Sequence, residues 1–243
     1  MGKDSKSFLT KYTYAFWAGA ILTILAWALP FGHWVIYPLS LLATWAHELG
    51  HGIAALLAGG RFERLELFAG LGGLAHTAVD SPVARAVVSA GGLVGAPLLG
   101  AVIIALGPYR RLDRPILVGL AGALLLSLAL WVRNPFGVVA CLGLALTLGL
   151  GAWRLRPRRR FIAVQLLGIQ LALSALRNWQ YLFVAEAKVG GRIVPSDVSA
   201  IAELLGGHHL LWGAAITLFN LGLLVGAYAL TRRRLHREAT RDR

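Results

Sequence analysis

The sequence has little charge, almost no sulfur and few acids. Only 14% of its 243 residues are Asp, Glu, Lys or Arg, against about a quarter in an ordinary soluble domain. No polar stretch is long enough to fold as a separate soluble unit, so residues 1–243 read as a single membrane-embedded domain. The lone cysteine, Cys141, lies in an apolar run. It excludes a disulfide framework and any Cys-based zinc site, and a buried thiol of this kind is inert packing. Acidic residues number 11 against 24 Lys and Arg, a net charge of +13. Such an excess raises the question of nucleic acid. Here, however, the arginines sit in short gaps between apolar stretches and in the tail from Arg232 to Arg243, where they meet phospholipid head groups and set topology. The lipid bilayer is therefore the expected partner, and nucleic acid is not.

What is abundant is apolar: 57% of residues, with a mean hydropathy of +0.67. A hydrocarbon core of about 30 Å takes roughly 20 residues of helix. Seven stretches meet that demand, at 14–31, 35–58, 82–106, 115–132, 135–153, 161–183 and 209–230. The expected fold is an all-α polytopic membrane protein of about six to seven spans. The first stretch follows Lys3, Lys6 and Lys11 and is read as a retained helix, because its apolar run is long and more spans follow. Arg133-Asn134-Pro135 makes a very short break; a turn fits it, with a re-entrant pair as the alternative. Gly91, Gly92, Gly95, Ala96 and Gly100 give the third stretch a small face for close helix packing.

Two segments do not read as spans. Residues 61–79 alternate charge with Phe62, Leu65 and Leu67, then reach Gly70, Gly72 and Gly73, the pattern of a β-hairpin. Residues 184–208 form the longest polar connection, with Pro195 and a short amphipathic stretch at 198–205. The chain ends in a basic tail at 231–243.

The motif helix, 35–58, contains His47-Glu48-Leu49-Gly50-His51. Positions i and i+4 share one helix face, so His47 and His51 can aim two imidazoles at one metal ion. Glu48 projects beside them, placed to take a proton from a water held there. Ionisable groups inside a membrane helix are rare and functional, which weighs against a merely packed pair of histidines. His47 lies about 18 Å along the helix from Val35, nearer the end that leads into the hairpin. Catalytic zinc commonly takes three protein ligands and leaves one position open. By spacing alone the third is open among His76, Asp80, Asp197, Glu203, His208 and His209.

The run from Ala46 to Arg61, with its Gly59-Gly60 turn, the hairpin at 61–79, and Ala90-Gly91-Gly92-Leu93-Val94-Gly95-Ala96-Pro97 resemble the site-2-protease-like intramembrane metalloproteases, in their smaller bacterial and plant branch. The resemblance covers residues 44–100 and resumes more weakly at Ser196-Asp197-Val198 with the downstream Trp212. It implies a multi-pass protein of a bacterial cell membrane that uses Zn2+ to hydrolyse peptide bonds of membrane-protein or peptide substrates. His47, His51 and Asp197 would be the zinc ligands and Glu48 the general base. The sequence departs from the larger family in lacking its Asn-Pro-x-Pro-x-x-Asp-Gly segment. Asn178 could stand in as a polar partner of the oxyanion or simply anchor its helix, and Ser196-Asp197 could simply cap the helix that follows. The hairpin offers either a strand edge for an unwound substrate or a tight surface connector. A zinc-dependent scaffold that binds helices without cutting them is the alternative function, and a transporter a weaker one.

Counting from seven spans, one membrane face carries the loops at 107–114 and 154–160 and the tail, and the other carries the N-terminus, the hairpin and the 184–208 loop. The arginine excess assigns the first face to the cytoplasm and so turns the mouth of the site outward, whereas many site-2-like proteases open towards the cytoplasm; a miscounted span at 133–135 would reconcile the two. Sequence leaves this conflict open, along with the oligomeric state.

Overall fold

The structure is a computed structural model that describes residues 2–107, 109–177, 183–189 and 192–241. In chain order its elements are α1 (Gly2–Ala28), α2 (Gly32–Leu57), β1 (Arg61–Leu67), β2 (Gly73–Ala78), α3 (Pro82–Leu106), α4 (Asp113–Leu130), α5 (Pro135–Arg154), α6 (Pro157–Arg177), β3 (Glu186–Val189), β4 (Arg192–Pro195), α7 (Asp197–Leu205) and α8 (His209–Arg241). Several helices begin where local chemistry favours it. Ser81 accepts a hydrogen bond from the Ala84 amide at 3.0 Å, with Pro82 in the first turn; Pro135 and Pro157 open α5 and α6. Gly59 ends α2 with φ +79°, the left-handed conformation that glycine adopts without strain.

The expected hairpin is present as an antiparallel β1–β2 pair with a bulge between Phe62 and Arg64. The break at 131–134 is a turn, after which α4 and α5 pack on each other. A second hairpin, β3–β4, fills part of the 184–208 connection; its short strands left no alternation long enough to read.

By length and composition, α3, α5, α8 and the stretch Arg110–Leu130 can cross a membrane. The count becomes five if α1 and α2, which meet at a 116° bend, form one broken span. The expected six to seven is not reached by this measure. The difference lies partly in α6, which packs against α1, α2, α3, α4 and α8. A helix covered by other helices does not need an all-apolar surface, and α6 carries Gln165 and Gln170, both 1% exposed.

The small face of α3 is used on two sides. A Cβ on Gly50 of α2 would overlap the Gly91 carbonyl and come within 3.2 Å of the Gly95 Cα, and one on Gly100 would overlap the backbone of α6 at Gly168 and Ala172. These contacts bring backbones close where side chains could not fit. Asn220 donates to the Leu93 carbonyl at 3.1 Å and Thr231 to the Ile104 carbonyl at 3.2 Å, so α8 runs alongside α3 in the same direction.

The C-terminal ends of α3, α5 and α8 and the N-terminal ends of α4 and α6 therefore gather on one side, which carries the arginines. The far ends of α4 and α5 hold the hairpin through the bridge between Leu65 and Val132. The expectation for the N-terminus needs correction. Tyr12, near the start of α1, packs with Phe161 and Leu235, which puts that end of α1 at the arginine-bearing side rather than at the hairpin side. Counting α1 and α2 as two independent crossings produced the error; they are a bent pair.

Replacing Gly50 with Ala should force α2 and α3 apart. Overpacking of this kind costs about 1–3 kcal/mol, so thermal unfolding in detergent should show a clearly lower Tm; an unchanged Tm would mean that the close approach is not tight.

Candidate metal centre

The i,i+4 spacing does what it should. His47 Nε2 and His51 Nε2 lie 3.1 Å apart, and the two rings stand edge to face at 88°. Asp197 Oδ2, at the first turn of α7, lies 3.4 Å from His47 Nε2 and 3.5 Å from His51 Nε2. Two nitrogens and one oxygen thus form a nearly equilateral triangle. Ligand atoms bound at about 2.0–2.1 Å around a tetrahedral zinc are separated by roughly 3.3–3.4 Å, so the triangle has the right size. Among the described residues no other group of three His, Cys, Asp or Glu converges in this way.

The surroundings orient the donors. His51 Nδ1 donates to the Val88 carbonyl at 2.8 Å. A carbonyl only accepts, so the proton belongs on Nδ1 and the Nε2 lone pair faces the other two donors. Gly92 makes room for this ring, because a Cβ there would overlap the imidazole. Burial opposes ionisation of Asp197, yet the adjacent His51 and His47 outweigh it and hold the carboxyl below its usual range. Ser196, not Asp197, caps α7: its hydroxyl accepts from the Ser199 amide at 3.3 Å and donates to the Val184 carbonyl at 2.6 Å. The capping role that could have occupied Asp197 is thus filled by its neighbour. The centre lies next to Val88, about 9 Å along α3 from its start and about 27 Å from its end, so it is nearer the hairpin side.

Glu48 is buried, 6% exposed, against the backbone of β2. A Cβ on Gly73 would overlap its carboxylate, and the Ala75 backbone lies beside it. The hairpin is tied down around this point. Phe62 presses on Gly52 of α2, where a Cβ would clash, and stacks on Trp131 at 4.6 Å. Thr44 donates to the Leu71 carbonyl at 2.9 Å and Tyr37 to the Ala69 carbonyl at 2.8 Å. These bonds pin the turn that contains Leu71, whose φ of +63° is unusual for a residue with a side chain.

The two edges of the hairpin differ. Leu65 donates to the Trp131 carbonyl at 2.8 Å and accepts from the Arg133 amide at 3.4 Å. Asn134 closes the next position, accepting from the Leu67 amide at 3.1 Å and donating to the Leu67 carbonyl at 2.6 Å. The outer edge of β1 is therefore occupied. Since Leu65 and Leu67 point their backbone groups away from β2, their partners Ala75 and Gly73 point theirs away from β1. That second edge is the one beside Glu48.

The other candidate ligands lie elsewhere. His76 is on β2, 3.6 Å from Glu66, and His208 and His209 stack on each other with ring centres 4.3 Å apart. Asp80 and Glu203 do not join the cluster. Asn178 lies outside the described residues. Sequence reasoning missed Thr44, Tyr37 and Asn134. Asn134 was visible only as a turn residue, because its partner is 67 positions away.

The Peptidase M50B-like family model matches residues 17–227. No curated protein and no solved structure matches the chain.

A purified wild-type chain should hold about one zinc ion on its three converging donors. Metal analysis should show that content largely lost in Asp197→Ala and reduced in Gly92→Ala, whose methyl displaces the His51 ring. Unchanged stoichiometry in Asp197→Ala would remove Asp197 from the ligand set.

Proposed function

Since the chain belongs to the Peptidase M50B-like family, a site-2-protease family domain matched over residues 17–227, we propose that it is an intramembrane zinc endopeptidase acting on membrane-protein substrates. The observation that carries this reading is the convergence of His47, His51 and Asp197 with the buried carboxylate of Glu48 one residue along the same helix. His47, His51 and Asp197 would hold the zinc. When bound, such an ion supplies a Lewis acid that polarises a carbonyl oxygen and acidifies a water.

The remaining work falls to the protein. Glu48 takes a proton from the attacking water as its oxygen bonds to the substrate carbonyl carbon, then passes that proton to the leaving nitrogen as the C–N bond breaks. Its place against β2 brings the base to the strand edge that a substrate would meet. A transmembrane helix has its backbone bonds satisfied internally and must unwind before it can be cut. The outward edge of β2 at Gly73 and Ala75, where the Ala75 backbone bonds to Glu48, would offer an unwound segment backbone partners by strand addition once that bond is exchanged, while Asn134 and residues 131–133 keep the other edge closed. A segment paired there lies alongside Glu48.

Glu48→Gln keeps the shape of the side chain and removes the base. With a co-expressed single-span membrane protein as substrate, cleavage should fall by about 10²–10⁴-fold, while the zinc content stays at the wild-type level. Full cleavage by this variant would sink the mechanism. A chain that binds zinc and the substrate but cleaves nothing in its wild-type form would favour the scaffold reading instead.

A further inference from the structure

Two hydrogen bonds across one helix pair have a placement that packing alone does not require. Pro97 stands inside α3 and has no N–H, so the Leu93 carbonyl one turn before it loses its helical donor. Buried Asn220 of α8 fills that gap, donating to the Leu93 carbonyl at 3.1 Å. Three turns further along, Thr231 donates to the Ile104 carbonyl at 3.2 Å, at the end of α3 where carbonyls run out of helical donors. The two carbonyls and the two donors are each eleven residues apart, which is close to three full turns. Two parallel helices are thus tied at two points along one line.

The first tie lies beside the metal centre. Leu93 follows Gly92, which leaves room for the His51 ring. Leu93 also packs with Val198, Ile201 and Ile216, and the fully buried Val198 is the residue after Asp197. On α8, Trp212, Ile216 and Asn220 follow one another by four residues and share a face. Trp212 also donates to the Gly206 carbonyl at 2.9 Å, at the end of α7. Helix α7 therefore rests on the first turns of α8, and the place of those turns along α3 sets where Asp197 stands relative to His51. The second tie is far from the centre and has other support. The rings of Phe16 and Tyr228 lie 4.5 Å apart, and Ala227 packs with Ala101 and Ile104.

Without the Asn220 bond, α8 is free to tilt about its Thr231 end. The ties are about 16 Å apart, so a tilt of about 4° moves the near end by about 1 Å. Zinc–ligand distances tolerate only about 0.2 Å. A hydrogen bond between helices in lipid is a modest stabiliser; this one acts through direction. We propose that Asn220 is a positioning residue for the metal centre. By bonding to the carbonyl that Pro97 leaves free, it fixes the start of α8, and α7 with it, so that Asp197 meets His47 and His51. The proposal rests on Asp197 being a ligand.

The test measures zinc affinity by chelator competition, and the Tm of the metal-free chain, on full-length variants in detergent. Asn220→Leu keeps the bulk and removes the donor, and should weaken zinc binding about 10-fold, as loss of a group that orients a ligand does. Thr231→Val removes the far tie and should leave zinc binding at the wild-type level, because the pivot then lies next to the centre. Pro97→Ala returns an N–H to the Leu93 carbonyl. Combined with Asn220→Leu it should recover the Tm lost to an unsatisfied carbonyl, and it supplies a folded chain should the single variant not fold, while zinc binding stays weak. Wild-type affinity in Asn220→Leu, equal weakening in Thr231→Val, or affinity restored by Pro97→Ala overturns the proposal. Asp197→Ala, measured alongside, separates the two readings. Unchanged affinity there removes both, whereas lost affinity there with wild-type affinity in Asn220→Leu overturns the positioning role alone.

Discussion

The close approach of α2 to α3 is the constraint on which the rest of the site depends. Gly50 meets Gly91 and Gly95 with no room for a side chain on either helix. That proximity lets the Val88 carbonyl reach His51 Nδ1 at 2.8 Å and lets Gly92 receive the imidazole. One hydrogen bond then determines which nitrogen of His51 presents a lone pair to the centre. The glycine contact thus reaches beyond packing: it sets the tautomer and direction of a metal donor, which larger residues at the same positions would undo.

Around this pair of helices the hairpin and α7 are brought in from opposite ends of the chain. Gly52 admits Phe62, Thr44 holds Leu71, and Trp131 to Asn134 close the outer edge of β1. The other strand edge carries the buried carboxylate of Glu48, bonded to the Ala75 backbone, next to three converging donors. Each contact narrows where an extended chain could pair, so the selection of an edge is a property of the loop between α4 and α5 as much as of the hairpin. In α7 the division of labour between Ser196 and Asp197 has the same character. Ser196 satisfies the helix start, and Asp197 is left to point at the histidines.

Much of the fold was legible because lipid imposes long apolar runs, and Pro, Gly and charge mark where they stop. The stretches read at 82–106, 135–153 and 209–230 and the hairpin after the motif helix follow from those signals, although α8 runs on through most of the basic tail to Arg241. The number of crossings was less legible. α1 and α2 are each long enough to span alone, and only their 116° bend and the contacts of Tyr12 relate them to the two sides. The short strands β3 and β4 were unreadable because four residues carry too little alternation to separate from a loop.

Within the site the division is just as physical. Helical periodicity alone placed His47 and His51 on one face with Glu48 beside them, since these relations are local and repeat with the helix. Asp197 is 146 positions beyond His51, so spacing could not choose it from the other acids and histidines; resemblance suggested it, and tertiary packing brought its Oδ2 to within 3.5 Å of both imidazoles. The roles of Asn134, Thr44 and Gly92 were likewise decided only by packing, because a side chain's partner across the bundle leaves no periodic trace in the sequence.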